Sequence, residues 1–233
     1  QLPSEATAEQ QAKTGGYGAE FGRPTGGVIN AITKRGGNEF HAGANVFWSP
    51  DALRGSDPNV VSNGGTTVTG AVVPAQVIAD NSKDSAGNEL TTSIWASGAL
   101  IQDKLFGYAL LSYTHESNQS YYPTATSGLP GYDQGDKSPA WLAKLDWNIS
   151  DDHLLELTAF SDKNESTQEF YLTDPTSLGN SLYDAGAALR RDSFLGTVYN
   201  ETGGTSGVLK YTGYLSDTFT LSALYGHGET SRA

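Results

Sequence analysis

From Asn38 onward, apolar residues recur mostly at every second position, the period of a strand whose two faces meet different surroundings. Phe40, Ala42, Ala44, Val46 and Trp48 share one face of the run Asn38 to Ser49. The clearest case is Ala140 to Asn148, where Trp141, Ala143, Leu145 and Trp147 oppose Leu142, Lys144, Asp146 and Asn148, so one side is apolar and the other wet. Leu105 to His115 sets Phe106, Tyr108 and Leu110 against Leu105, Ala109, Leu111 and Tyr113. Leu155, Leu157 and Ala159 alternate with Glu156 and Thr158, and Leu209, Tyr211 and Leu215 with Lys210 and Thr212. Phe219, Leu221, Ala223 and Tyr225 interleave with Thr220 and Ser222. In Thr91 to Ile101 the faces are poorly separated, with Ile94, Ala96, Gly98 and Leu100 against Trp95, Ala99 and Ile101. Ahead of these runs, the polar stretch Gln1 to Thr14 has Glu and Gln spaced for a short surface helix or a frayed end.

The pattern predicts an all-β chain of about seven strands, each roughly 9 to 12 residues long, near what a tilted strand needs to cross a bilayer. The connections alternate in length. Pro50 to Leu90, Glu116 to Lys137 and Glu165 to Gly204 are long, whereas Gln102 to Lys104, Ile149 to His153 and Ser216 to Thr218 are short. Outer-membrane barrels show this asymmetry, with short periplasmic turns and long extracellular loops. Trp141 and Trp147, on one face and roughly 20 Å apart along an extended strand, fit two interfacial girdles. The competing architecture is a soluble sandwich with large core side chains, whose strands are typically about 5 or 6 residues long.

Composition narrows the chemistry. The 233 residues include neither Cys nor Met, which excludes disulfides, thiolate metal sites and cysteine nucleophiles. A formal charge of −12 argues against docking on nucleic acid. No run of 18 or more apolar residues offers a spanning helix, and no segment reads as a signal peptide.

Between Thr14 and Gly43 the alternation gives way to TGGYGAEFGRPTGGVINAITKRGGNEFHAG. Its elements are Tyr17, Glu20-Phe21-Gly22, Gly26-Gly27-Val28-Ile29-Asn30, Thr33-Lys34 and Asn38-Glu39-Phe40-His41. This stretch resembles the plug-to-barrel junction of TonB-dependent receptors of the Oar-like group, and Gln102-Asp103-Lys104-Leu105-Phe106 resembles that family's first periplasmic turn. Gly26 and Gly27 permit close backbone approach, Val28, Ile29 and Ile32 supply a buried strand, and Gly36-Gly37 make a turn before the first alternating run. The resemblance implies a partial antiparallel transmembrane β-barrel, seven strands of a larger plugged barrel, with a short plug remnant at the N-terminus. The plug would end near residue 37 and the barrel wall would run over 38–233. Most of the plug, a TonB-contacting box and the terminal barrel strand have no counterpart here. Because seven strands would leave open edges in hydrocarbon, the native protein is expected to be much longer.

Other motifs carry less. The glycines from Gly15 to Gly22 fit neither phosphate-binding fingerprint, and His41, His115, His153 and His227 are dispersed at or near strand ends. Asp80 to Glu89 has the oxygen-rich look of a calcium loop but lacks the glycine at its sixth position and the Glu at its twelfth. Asp51, Asp57, Asp80, Asp84, Asp133 and Asp136 fall in the expected external loops, where solvation explains them and a pull on cationic substrates or divalent ions is the sharper alternative. Arg23 and Glu20 are candidates for polar contacts between plug and wall.

The resemblance implies TonB-dependent active uptake of a scarce, bulky nutrient such as a metal chelate, vitamin, glycan or peptide across a bacterial outer membrane. The partners it implies are outer-membrane lipid, a TonB-type energy-coupling protein reached through a segment outside this chain, and the nutrient; no cofactor and no enzymatic activity are expected. Two other classes compete: a passive porin or adhesive barrel, and a soluble carbohydrate-binding sandwich.

Overall fold

The computed structural model describes residues 4–13, 28–55, 60–61, 65–66, 72–73, 77–79, 87–120, 131–173 and 191–232. Its strands are β1 (Thr7–Lys13), β2 (Val28–Thr33), β3 (His41–Ser49), β4 (Val60–Val61), β5 (Gly65–Thr66), β6 (Val72–Val73), β7 (Val77–Ala79), β8 (Gly87–Ile101), β9 (Leu105–Ser120), β10 (Gly131–Ser150), β11 (His153–Ser161), β12 (Asn164–Thr173), β13 (Arg191–Ser216) and β14 (Phe219–Arg232). The chain is all-β, as the alternation predicts.

One antiparallel sheet runs β3, β8, β9, β10, then β11 and β12, then β13 and β14. β11 pairs with the half of β10 that leads into the turn at Asp151 and Asp152, β12 pairs with Gly131 to Lys137, and both pair with β13. They occupy one strand position, interrupted at Asp162 and Lys163. Gly203 faces this break at φ +88°, and a Cβ there would meet the Asp162 carbonyl oxygen at 2.3 Å. Seven strand positions result, the number read from the alternation. β1 and β2 form a separate antiparallel pair, as do β4 with β7 and β5 with β6.

Strand length departs from expectation. β3, β11 and β12 have 9 or 10 residues, within the roughly 9 to 12 expected, whereas the other wall strands run from 14 residues in β14 to 26 in β13. Much of the presumed loops Glu116 to Lys137 and Glu165 to Gly204 is strand: β9 continues to Ser120, β10 begins at Gly131, β12 reaches Thr173 and β13 starts at Arg191. In β9 and β10 these extensions are polar or small on both faces apart from Tyr132, and in β12 and β13 the apolar residues come as neighbours, Phe170 to Leu172 and Phe194-Leu195, so no apolar alternation marks them. The short turns stay where they were expected, at 102–104, 151–152 and 217–218.

The N-terminal stretch also differs. Thr7–Lys13 is a strand after a 3-10 turn at Ser4–Ala6, not a helix, because its backbone pairs with Val28–Thr33 and that ladder overrides the modest helix preference of Glu, Gln and Ala. Ile29 and Ile32, on opposite faces of β2, are 68% and 44% exposed, so β2 is not the buried strand expected. The bend falls at Asn38 and Glu39 rather than at the two glycines. Gly36 serves a close approach instead: a Cβ there would lie 2.4 Å from the Gly107 carbonyl oxygen.

Candidate functional site

The register sorts the wall residues onto two faces. Val46, Ile94, Leu111, Trp141, Leu145, Trp147, Leu157 and Leu209 fall on one of them, with Ala42, Ala96, Ala109, Ala143 and Ala159 opposite one another in a continuous row. This face is bare, and most of its large side chains are exposed, Ile94 at 53% and Leu111 at 58%, with Trp141 half-buried. The opposite face carries Ser93, Ser97, Ser112, Lys144, Asp146 and Glu156 alongside Tyr108, Leu110 and Leu142, all buried. A soluble sheet does the reverse, hiding apolar residues and wetting polar ones.

What buries the polar face is the N-terminal segment. Ala6 packs on Tyr108, Leu110 and Leu142, flanked by Trp95 and Phe160, in the small core of the described residues. The Tyr108 hydroxyl donates to the Glu5 carbonyl at 2.8 Å, and Asn45 Nδ2 donates to Glu5 Oε1 at 3.0 Å. The Lys34 amide donates to the Ala6 carbonyl at 2.9 Å and so joins the two ends of the segment.

Below that core, nearer the short turns, charges gather. Arg35 donates through Nη2 to Glu156, which also accepts from Lys210 Nζ at 2.9 Å. Lys144 Nζ reaches Thr33 Oγ1 at 3.3 Å, and Asp146 lies across the ladder from Glu156. At the turn itself, Asn38 holds Asp103 twice: its Nδ2 donates to Asp103 Oδ1 at 2.7 Å and its Oδ1 accepts from the Asp103 amide at 3.0 Å. Asn148 fixes the same turn from β10, its amide donating to the Lys104 carbonyl at 2.7 Å.

Of the residues singled out from sequence, Tyr17, Glu20, Phe21, Gly22, Arg23, Gly26 and Gly27 lie outside the described residues, as does the glycine-rich stretch they belong to. Asn30 sits in β2 opposite Gln11. Thr33 meets Lys144, Lys34 lies over the Trp95 ring at 5.4 Å, and Phe40 is 76% exposed beside Gly98. The structure therefore brings Thr33 and Lys34 onto the polar face and leaves Phe40 on the rim. Arg35, Lys144, Asp146, Glu156 and Lys210 were not singled out as a site. Their signal was present as charged residues at the wet positions of otherwise apolar strands.

The acidic residues split. Asp57, Asp80 and Asp84 lie outside the described residues, and of the calcium-like loop only Gly87 to Glu89 is described, as the start of β8. Asp51 Oδ1 accepts from the Gly87 amide at 3.1 Å. Asp133 forms a two-pronged pair with Arg191, which stacks on Tyr171 at 4.8 Å. Asp136 accepts from Gln134 Nε2 at 2.6 Å. Asp133 and Asp136 thus belong to paired strand rather than loop. His41 and His153 begin strands, whereas His115 and His227 lie within them. Among the described residues no three His, Cys, Asp or Glu side chains converge to hold a metal ion, and no helix is long and apolar enough to cross a membrane.

No family model and no solved structure matches the chain. It is similar to the TonB-dependent transporter Oar of Myxococcus xanthus, 27% identical over an alignment of 227 residues that takes in 88% of this chain and 20% of that protein, so the chain spans about a fifth of this relative's length.

Proposed function

We propose that the chain forms part of the wall of a TonB-dependent outer-membrane transporter, with residues up to Gly37 as the end of a plug and 38–233 as the start of the barrel. The observation that carries this reading is the inversion of the wall. A bare face built from Ile94, Leu111, Leu145 and Trp147 has no stable place in water, while lipid suits it. On β10 the apolar positions run from Pro139 to Ile149, about 33 Å of extended chain, which a tilt near 40° brings to about 25 Å, the height of an outer-membrane apolar band. The polar face, with the N-terminal segment against it, is then the lumenal side. Similarity to a transporter of this kind supports the same assignment.

In this reading further strands complete the wall, lipid covers the bare face, and the short turns face the periplasm. A scarce, bulky nutrient enters from the end carrying the polar strand extensions, and a TonB-type protein acts on the plug from the other end through a segment outside this chain. Because the chain's own residues supply only binding and guidance, the reading assigns no cofactor and no bond chemistry.

Two measurements test it. The whole protein should fractionate with outer membranes, require detergent for extraction and change its gel mobility on heating. Growth on the limiting nutrient should need both this protein and an intact TonB. A protein soluble without detergent would overturn the wall, and uptake that persists without TonB would turn the reading to a passive barrel.

A further inference from the structure

Two irregularities in the β12–β13 ladder change which side chains reach the bare-face side of the strand extensions. In the register that sets Thr197 opposite Glu169, Leu195 would stand opposite Tyr171 and Ser193 opposite Thr173. The ladder instead places Phe194 and Arg191 there. Bulges re-aim side chains in this way, and here they complete a cluster. Phe194 and Tyr171 pack with ring centroids 5.4 Å apart, and the Arg191 guanidinium lies 4.8 Å from the centre of the Tyr171 ring while it grips Asp133. The Tyr171 hydroxyl donates to Glu169 Oε2 at 2.9 Å. Phe194 is 57% exposed, and Tyr199, on the same side and opposite Thr167, is 75% exposed.

No bulge interrupts the β9–β10 ladder between Asp133 and Trp147, so Asp133 lies on the same side of β10 as Leu145 and Trp147. The cluster is therefore continuous with the bare face. Tyr171 stands opposite Gly131, eight residues before Pro139, where the apolar positions of β10 begin. Eight residues of strand tilted near 40° rise about 20 Å. Interfacial aromatics belong at the edge of the apolar band, a level that Tyr113 occupies opposite Pro139. A second aromatic set so much farther out needs a different partner. We propose that it binds the saccharide chains of the glycolipid that forms the outer leaflet, an inference that rests on reading the bare face as lipid-facing. Exposed rings pack against the C–H side of sugar rings, and the flanking carboxylates accept from sugar hydroxyls. Phosphate is disfavoured, because Asp133 balances Arg191 and Glu169 leaves the cluster net negative. Hydrocarbon is disfavoured too, since it would strip water from the ion pair. The bonded frame holds the rings in place beforehand, which lowers the ordering cost of binding.

The test places the whole protein in vesicles whose glycolipid carries either its complete saccharide or only its acylated, phosphorylated disaccharide. Hydroxyl-radical footprinting read by mass spectrometry should find Tyr171 and Phe194 several-fold less oxidised with the complete saccharide. Tyr225, opposite Leu209 on the bare face, should be shielded in both. Equal oxidation of Tyr171 and Phe194 in the two vesicles, with Tyr225 shielded, would overturn the saccharide assignment and leave the lipid-facing wall standing. Tyr225 oxidised in both would overturn the wall and the proposal together. Shielding of Tyr171 in native outer membranes of cells that make only the stripped glycolipid would assign the cluster to a protein neighbour, and so overturn the proposal. Titrated in detergent, Phe194→Ala should bind the complete glycolipid about tenfold more weakly than the native protein and the stripped one equally well. An unchanged affinity for the complete glycolipid, or an equal loss for both, would overturn the proposal. Should that variant not fold, Tyr199→Ala carries the same test.

Discussion

β10 holds two strands' worth of different physics in one ladder. From Ala140 to Ser150 its residues alternate between a bare apolar face and a buried polar one. From Gly131 to Pro139 they read Gly-Tyr-Asp-Gln-Gly-Asp-Lys-Ser-Pro, polar or small on both faces apart from Tyr132 and the closing Pro139. Pairing does not distinguish the halves: β9 accompanies β10 throughout, with β11 along one half and β12 along the other. Alternation therefore reports a difference between two surroundings and not the presence of a strand. Where both faces meet water the ladder persists and the pattern disappears.

A charge placed on the bare face should separate the two halves most strongly. Leu145 and Gly135 lie ten residues apart on the same face of β10. Leu145→Arg should cost about 2–4 kcal/mol if that position sits near mid-bilayer. Gly135→Arg, where a Cβ meets nothing within 4 Å, should stay within about 0.5 kcal/mol. Urea titration of the protein folded in lipid vesicles measures both. Equal costs would mean that the two halves share one solvent.

The covered face gives the next largest contrast. Leu142 is 1% exposed beneath Ala6, so Leu142→Ala should cost about 2–3 kcal/mol and raise protease cutting in β1 and β2, which that contact anchors to the sheet. Gln134→Ala in the other half removes hydrogen bonds to Asp136 and Gln168, at about 1 kcal/mol, and should leave the segment's protection unchanged.

This contrast explains what the sequence made legible. The seven strand positions and both faces of β10 and β11 could be read because a bare apolar side and a covered side with buried polar groups impose opposite residue types on neighbouring positions. The strand extensions could not, for Asp133 to Lys137 carry the composition of a loop while their backbone groups are fully paired. β1 was missed for a related reason: Glu9, Gln10 and Gln11 carry no alternation, and only the partner strand 15 or more positions away makes them extended. Thr33 and Lys34 could be flagged by family resemblance. Arg35 could not, because its importance comes from Glu156, 121 residues further along.

Gly36 and its neighbour provide a finer test of how closely the segment lies on the wall. Gly36→Ala places a Cβ 2.4 Å from backbone that cannot move without disturbing the β8–β9 ladder, so the segment itself must lift, at about 1–2 kcal/mol. Gly37→Ala meets nothing and should be nearly neutral. Hydrogen exchange of the Lys34 amide, which bonds Ala6, would report the lift; similar exchange in both variants would show that the contact with Gly107 is not what sets the spacing.

The smallest expected effect lies at the short-turn end, where the segment enters the wall. Asp103 takes φ +61°, a conformation Asp tolerates better than most residues but still unusual for a side chain with a Cβ. Asn38 steadies it by capping both its amide and its carboxylate, yet Asn38 is exposed and water can replace either bond. Asn38→Ala should therefore cost less than about 1 kcal/mol and accelerate exchange of the Asp103 amide by less than about tenfold. The Lys104 amide bonds Ile101 within the turn and does not depend on Asn38, so its exchange should hardly change. If both amides accelerated together, the turn would owe its shape to Asn38 rather than to the β8–β9 ladder, and the bond from Asn148 would be too weak to hold it.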